Sequence, residues 1–177
     1  MRFRFAAIFI ATTCLLSACG FQPRGQIAVS PYLNDIYLQT SSEFTPLSQA
    51  IEKTLAENNI QLAESPENAK IILQVFNEQE SNSQMTVGAS QQTRQYKLVY
   101  SLEFSLYDKR NTLILGPRRM IEYRTQIIQA NQLLDNNLET TQLYNSMREQ
   151  AVLDLMYQLT AKDTNELISQ NLKSHED

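Results

Sequence analysis

The residue types that most often carry out chemistry are scarce in this sequence, which contains two cysteines and one histidine. A serine or cysteine nucleophile needs a positioned imidazole to act as its base. The single histidine, His175, stands in the polar stretch Lys-Ser-His-Glu-Asp, outside any pattern that predicts a core. We therefore exclude Ser-His-Asp hydrolases, Cys-His hydrolases and histidine-based metal sites, which leaves the thiols of Cys14 and Cys19.

Cys19 follows a segment with the layout of a secretory signal peptide. Two arginines stand among the first four residues, and the apolar stretch of residues 5–16 is too short to span a bilayer comfortably. The run Leu16-Ser17-Ala18-Cys19 resembles the lipobox of bacterial lipoproteins, in which the cysteine thiol takes a diacylglyceryl group before cleavage frees its amine for a further acyl chain. Cys14 fits worse, because no long aliphatic residue precedes it by three positions. The alternative is that Cys19 is a buried thiol or the disulfide partner of Cys14.

The lipobox interpretation predicts where the protein is anchored. Residues 1–18 would be a cleaved signal peptide, and residues 19–31 the lipidated N-terminus and its tether. Several acyl chains such as palmitate, at about 0.8 kcal/mol per buried methylene, hold a protein on a membrane far more firmly than one chain does. Gly20 stands where aspartate would retain an enteric lipoprotein in the inner membrane. We therefore expect the periplasmic face of the outer membrane.

The charges are unevenly distributed along the chain. Without the two N-terminal arginines, 13 basic and 19 acidic residues remain, a formal charge of -6 that does not support a nucleic-acid surface. Residues 94–124 contain seven basic and three acidic side chains, a local charge of +4, whereas the rest of the mature chain carries -10. This asymmetry predicts a cationic surface.

Five cations of this segment are candidates for contact with phosphates or with a polar protein wall through charge-assisted hydrogen bonds. They are Arg94, Lys97, Arg118, Arg119 and Arg124. The alternative is that they are solvated strand residues, just as Lys109 and Arg110 mark a hairpin turn. Carboxylate pairs such as Glu64 with Glu67 lack histidine or cysteine companions, so we expect no metal site, no cofactor and no enzyme activity.

The elements that must position these residues begin with an alternating strand at residues 36–40. Thr45 and Pro46 then supply an N-cap and a first helical position. The helix that they open has one apolar stripe, which consists of Leu47, Ile51 and Leu55.

Three further strands are predicted. A dense β-branched and aromatic run occupies residues 71–76, and residues 96–106 alternate between apolar and polar side chains without interruption. Between them, the polar residues 78–92 form a long loop, a bulged excursion or the solvated ends of two strands. Residues 113–127 run back, and Gly116-Pro117 marks a bulge or an edge position, where the ladder can lack a donor.

Beyond residue 128 the period becomes helical. The repeating apolar positions are Leu143, Met147, Ala151, Leu155 and Leu159. The pattern continues weakly to Leu167 and Ile168. We predict an α+β fold of order β-α-β-β-β-α, with two helices on one face of a mixed sheet of about four strands. The single domain would span residues 32–161, and residues 162–177 would be a helix end and a frayed polar tail.

The order and spacing of several motifs resemble the LptE family of lipopolysaccharide-assembly lipoproteins of Gram-negative outer membranes. The resemblance covers almost the whole mature chain. Its motifs are Cys19-Gly20-Phe21-Gln22-Pro23-Arg24-Gly25, Pro46-Leu47-Ser48-Gln49-Ala50-Ile51, Tyr96, Tyr123-Arg124-Thr125, Met147-Arg148-Glu149-Gln150-Ala151, Leu155 and Gln158-Leu159.

The resemblance implies a two-helix, four-stranded domain inside the lumen of the large β-barrel LptD, in a complex of about one to one. It further implies that the domain helps the barrel to fold, plugs it, and binds lipopolysaccharide on its way to the cell surface. The family's basic residues implicated in binding lipid A phosphates have no counterpart here. The corresponding residues 88–92 and 133–137 contain no cation, so those roles are not carried over.

Two other classes of protein are alternatives. An auxiliary lipoprotein of an ABC-type lipid transporter would share the anchor and a similar small domain, and Gly20 argues only modestly against it. A lipid-anchored hydrolase would need a nucleophile and a base that the sequence does not provide.

Overall fold

The computed structural model describes residues 31–87, 93–129 and 133–174. Four strands form one mixed sheet in the order β1-β2-β3-β4, with β1 parallel to β2 and the other pairs antiparallel. The elements are β1 (Ile36–Thr40), α1 (Pro46–Glu57), β2 (Ile71–Val87), β3 (Thr93–Asp108), β4 (Leu113–Gln129), α2 (Leu133–Thr160) and α3 (Lys162–Lys173). The predicted α+β class and the order of its first six elements are confirmed. The division into a domain at residues 32–161 and its flanking segments stays a prediction.

Helix α1 begins with the predicted cap. The Thr45 side-chain oxygen accepts a hydrogen bond from the Ser48 backbone N–H at 3.1 Å, and the Ser48 hydroxyl oxygen accepts one from the Thr45 N–H at 3.0 Å. Two backbone donors that the helix itself cannot pair are thus satisfied. The apolar stripe of Leu47, Ile51 and Leu55 is buried against the sheet core, as predicted.

The central strand β3 confirms the alternating pattern. Its even-numbered residues 98–106 are buried in the core that the three helices cover. Its odd-numbered residues lie on the opposite face, since successive side chains of a strand point to opposite sides. One face of the sheet is therefore helix-covered, and no described helix covers the other.

Strand β2 extends well beyond the apolar run of residues 71–76. It pairs with β3 as far as Val87, with shifts of register between Phe76 and Gln79 and between Gln84 and Thr86. Of the three alternatives for the polar stretch, the solvated strand ends are therefore present, and bulges interrupt them. Residues 88–92 lie outside the described residues.

Strand β4 is an edge strand with an irregularity at Gly116-Pro117, as predicted. Gly116 has φ +113°, and a Cβ there would lie 2.8 Å from the Phe104 carbonyl oxygen and 2.7 Å from the Ser105 hydroxyl oxygen. No other residue type fits this close approach of two strands without a shift of the backbone.

The C-terminal region contains two helices where one was predicted. The predicted stripe on α2 is buried apart from Leu143, which is half-buried. Helix α2 ends at Thr160, and Ala161 has an extended backbone (φ -59°, ψ 143°). The Asn165 amide donates to the carbonyl oxygens of Thr160 and Ala161 at 3.0 and 3.1 Å.

This break turns the chain so that α3 packs back onto the core through Ile168, which is 0% exposed. The expectation of a continuous helix with a frayed end was therefore wrong for residues 162–173. Their apolar stripe is weak, but it is sufficient to pack a separate helix onto the core once the chain turns.

Candidate functional site

The helix-free face is formed by the odd-numbered residues of β3 and their partners on β4. The pairs along it are Gln95 with Ile127, Lys97 with Thr125, Val99 with Tyr123, Ser101 with Ile121 and Glu103 with Arg119. Since paired residues of an antiparallel sheet share a face, the register assigns these ten residues to one surface.

Two of the five candidate cations lie on this helix-free face. The Lys97 ammonium stands 4.1 Å from the centroid of the Tyr123 ring, a cation–π contact. Arg119 donates a hydrogen bond to the Ser101 hydroxyl at 3.1 Å. Six residues of β3 separate the levels of Lys97 and Arg119, so the two cations are roughly 20 Å apart along the strands.

The other three candidates do not join them. Arg118 points to the helix side, where it donates to the Gln158 side chain of α2. Arg124 lies 3.6 Å from a Glu122 carboxylate oxygen and donates to the carbonyl oxygen of Tyr123 at 2.8 Å. Arg94 is exposed near the start of β3. The structure thus divides the predicted cationic surface between the two faces of the hairpin.

Apolar residues on the same face were missed as candidates. Ile121 is 39% exposed, Tyr123 50% and Ile127 60%. These residues lie at alternate positions of β4, a period of two that can be read in the sequence. Only the pairing register shows that this apolar stripe faces away from the helices. The odd positions therefore combine aliphatic, aromatic and cationic side chains on one uncovered surface.

The apolar exposure continues at the end of the sheet where β2 and β3 meet, which we call the hairpin end. Met85 is 54% exposed and lies beside Thr86, whose partner Gln95 pairs with Ile127. Leu138 on α2, 64% exposed, lies at the same level, because the neighbouring residues of α2 bond to Gln126. Lys97 and Arg94 lie close to this level on β3.

A second cluster joins β2 to α2. Arg148 donates to the carboxylates of Glu78 at 3.1 Å and Glu80 at 2.7 Å, and its guanidinium carbon lies 5.5 Å from the centroid of the Tyr100 ring. The Tyr100 hydroxyl donates to Glu78 at 2.8 Å, and burial, with Glu78 beside it, raises the pKa of Tyr100. This tyrosine therefore stays a neutral donor, and the cluster holds a helix to a strand.

A carboxylate pair lies between β4 and α2. Burial raises the pKa of Glu122, and the nearby Asp154 raises it further against the opposite effect of Arg124. Gln150 donates to Asp154 at 3.1 Å. No group of three or more metal-binding side chains occurs among the residues that the structure describes, and none of its described helices is long and apolar enough to cross a membrane.

An open recess of about 350 Å³ lies between the β1–α1 connection and β2, lined among others by Ser42, Thr45 and Phe76. Glu78, which Arg148 already binds, is the one titratable side chain among its described lining residues. The recess therefore offers no catalytic or ligand-binding constellation of its own.

The fold and this surface define a class of protein, a small α+β domain with helices on one side of its sheet and cationic, aromatic and aliphatic side chains on the other. The family model LptE, described as lipopolysaccharide-assembly, matches residues 33–159. The chain belongs to the LptE family and is a lipoprotein of lipopolysaccharide assembly, a role that is not enzymatic.

Two relatives of this chain carry the name of the family. The chain is 27% identical over 165 residues to the LPS-assembly lipoprotein LptE of Yersinia enterocolitica, covering 90% of this chain and 77% of that one. It is 23% identical over 176 residues to the LPS-assembly lipoprotein LptE of Pectobacterium atrosepticum, covering 98% and 95%.

Solved structures share the fold. An uncharacterized lipoprotein B from Nitrosomonas europaea has a TM-score of 0.67 at 22% identity, covering 80% of this chain and 91% of that one. A minor lipoprotein from Acinetobacter baumannii has a TM-score of 0.63 at 14% identity, covering 74% and 93%. At these identities the similarity shows the fold alone.

Proposed function

We propose that this chain is an outer-membrane lipoprotein, anchored on the periplasmic face through acyl chains on Cys19, that assists assembly of the lipopolysaccharide-export barrel LptD and plugs it. The complex contains about one copy of each protein. The chain also binds lipopolysaccharide during its delivery to the cell surface.

One observation carries this proposal, namely the helix-free face of the sheet. Ile121, Tyr123 and Ile127 alternate along β4 and stay exposed beside Lys97, and a contiguous apolar patch of this kind often marks an interaction site. The polar partners Thr125 and Gln95 alternate with them. Such a mixed surface suits the lumen of an outer-membrane barrel, because that interior is polar and wet.

Lipopolysaccharide binding is supported by the chemistry of the hairpin end. Lys97 and Arg94 offer cations for phosphate groups, and Met85 and Ile127 offer exposed apolar surface for acyl chains. Arg118 pairs with Phe104, ten residues along β3 from Arg94, and is engaged with α2, so we place it outside this contact.

The plug proposal is tested by photo-crosslinking in cells that carry the full chain. A benzoylphenylalanine in place of Thr125, on the helix-free face, should form an adduct with a large β-barrel that co-purifies through a salt wash. The matched control is the same group in place of Asp163, exposed on α3. Adducts from neither position, or capture of an inner-membrane transporter component instead, would contradict the barrel assignment and favour the transporter alternative.

Lipopolysaccharide binding is tested on the purified protein at low salt, where charge interactions are least screened. Replacing Arg94 and Lys97 with Gln should weaken binding several-fold, since each exposed charge contact is worth roughly 0.2–1 kcal/mol. Lys53→Gln, which removes an exposed cation from α1, is the control with unchanged binding. Equal binding by all three proteins would remove the hairpin end from the proposal.

A further inference from the structure

Helix α3 contains buried polar atoms that the rest of the described chain leaves without a hydrogen-bond partner. They are the Thr164 hydroxyl and the side-chain carbonyl oxygens of Asn165 and Asn171, and among the described residues every such atom belongs to α3. Thr164 is 1% exposed. Native proteins contain few buried polar atoms of this kind, because each one costs free energy. Their concentration on one helix indicates a contact that α3 makes with something else.

Two of these residues share one side of α3 with an exposed leucine. Thr164, Leu167 and Asn171 are spaced by three and four residues, so they form one stripe along the helix, which we call the α3 stripe. Leu167, in its middle, is 40% exposed, whereas the polar atoms at its two ends are buried. Burial usually has the opposite preference, for apolar over polar atoms. A segment that covers Leu167 and supplies hydrogen-bonding groups would correct both features.

The chain enters the described structure at α3. Pro31–Leu33 form a single 3₁₀ turn that contacts this helix. Leu33 and Ile168 are both 0% exposed and belong to the same core. The residues just before Pro31 therefore start close to α3, on the side where Ile168 packs.

We propose that residues 26–30, which lie outside the described residues, dock on the α3 stripe. Their backbone groups pair with the Asn171 side-chain oxygen and the Thr164 hydroxyl, and their apolar side chains cover Leu167. The segment reads Gln-Ile-Ala-Val-Ser, so it has no charge, two β-branched apolar side chains and an N–H at every residue. Its length is sufficient, because the stripe rises about 10 Å along the helix and five extended residues span roughly 16 Å.

The covalent connection at Pro31 favours this segment over a separate partner. A segment joined by a short link meets its site at an effective concentration of about millimolar, so it needs little affinity of its own. The stripe is small, and a separate protein would need a much larger interface to bind stably.

Docking would restrict the position of the domain at the membrane, a consequence that rests on the proposed anchor at Cys19. Only residues 19–25 would remain free, and seven extended residues reach about 25 Å. The α3 end of the domain would then face the membrane.

Hydrogen exchange on the purified full chain in detergent tests the docking. The amides of residues 27–30 should exchange about tenfold faster in Leu167→Asp than in the parent, because a carboxylate replaces the apolar contact. The matched control is Leu153→Asp, since Leu153 is an equally exposed leucine, at 41%, on α2. This control should leave the exchange of residues 27–30 unchanged. Free exchange of these amides in the parent would overturn the inference.

A disulfide tests the position of the segment. The full chain carries Cys14→Ser and Cys19→Ser, so that only engineered thiols react. Ala28→Cys with Leu167→Cys should oxidise to an intramolecular disulfide. Ala28→Cys with Glu166→Cys should not, because Glu166 is exposed about 100° further round the helix, away from the stripe. Equal oxidation of both pairs would contradict docking on this side of α3.

The acceptor is tested by Asn171→Leu, which keeps the side-chain volume and removes the oxygen. The amides of residues 27–30 should exchange about fivefold faster, since one hydrogen bond is lost. Circular dichroism verifies folding, and parental exchange in a folded variant would overturn the pairing with Asn171. These measurements use neither the barrel nor the acyl chains, so their failure would leave the proposed function untouched.

Discussion

Arg148 joins the long helix to the second strand through two carboxylates. Its side chain is 11% exposed and binds both Glu78 and Glu80, while Tyr100 lies under its guanidinium group and donates to Glu78. A planar guanidinium can satisfy several acceptors at once, which a lysine could not do here. At the residue scale, this cluster determines where the polar half of β2 stands relative to α2.

Replacing Arg148 with Met should lower the free energy of unfolding by about 1–3 kcal/mol, less than the roughly 3–5 kcal/mol for a fully buried pair, because Glu78 and Glu80 keep part of their hydration. Urea denaturation measures the change. Lys53→Met, which breaks an exposed pair on α1, should alter stability little. If both substitutions lowered the free energy of unfolding equally little, the cluster would contribute nothing to stability.

Glu122 provides a pH-dependent prediction. Burial and Asp154 raise its pKa in the folded state above the ordinary value of 4.5, although Arg124 acts in the opposite direction. The fold therefore favours the protonated carboxyl, and its stability falls as the pH rises from below 4.5 through the folded-state pKa. Glu122→Gln, a neutral isostere, should be more stable than the parent at pH 7 and lose this advantage at pH 4. Thermal unfolding at both pH values provides the comparison, and a variant that is less stable at pH 7 would contradict the assignment.

At the scale of elements, α3 shows how a weak sequence signal becomes a packed helix. The apolar stripe of residues 162–173 is short, yet Ile168 is completely buried while its neighbour Leu167 is 40% exposed. The turn at Ala161, with the Asn165 amide bonded to the last carbonyls of α2, directs that stripe to the core. The periodicity predicted the helix but not its direction, because a single extended residue sets the angle.

Ile168→Ala should therefore destabilise the domain by about 2–4 kcal/mol, through lost burial and the cavity that it leaves. Leu167→Ala, on the next residue of the same helix, should cost under about 1 kcal/mol because its side chain is already partly hydrated. Equal and small effects of both substitutions, measured by urea denaturation, would mean that α3 frays in solution.

The strands differ in how well their side-chain patterns predict their extent. The apolar period of β3 predicts both its extent and its core face, because burial of alternate residues determines them. The outer half of β2 has polar side chains on both faces and is held in the sheet by its backbone pairing with β3. Since every residue supplies backbone groups, such pairing leaves little trace in the sequence, so the side chains left three alternatives open for this half of β2.

At the scale of the whole molecule, the domain has one covered face and one uncovered face. The helices α1, α2 and α3 share one core with the even-numbered residues of β3. The chain belongs to a lipoprotein family of lipopolysaccharide assembly, and the lipid anchor proposed at Cys19 would tether the domain to a membrane. Cys19 itself lies outside the described residues.

The anchor is tested by Cys19→Ser. The variant should keep residues 1–18 and take up no labelled palmitate, because the thiol is the acceptor of the first lipid. Mass spectrometry of the purified protein distinguishes the two forms. The matched change Cys14→Ser should leave processing and acylation intact, and an acylated Cys19→Ser protein would refute the lipobox interpretation.

The sequence alone determined the α+β class, the core stripes of α1, β3 and α2, and the likeness to the LptE family, and it predicts the signal segment. Each of these depends on local pattern, which residue order contains completely. The tertiary structure decided which cations share a face. Arg118 and Arg119 are adjacent in sequence but lie on opposite sides of the sheet, and Lys97 meets Tyr123 only through the register of β3 with β4. Pairing register is a long-range property of two strands, so the helix-free face became visible only in the assembled sheet.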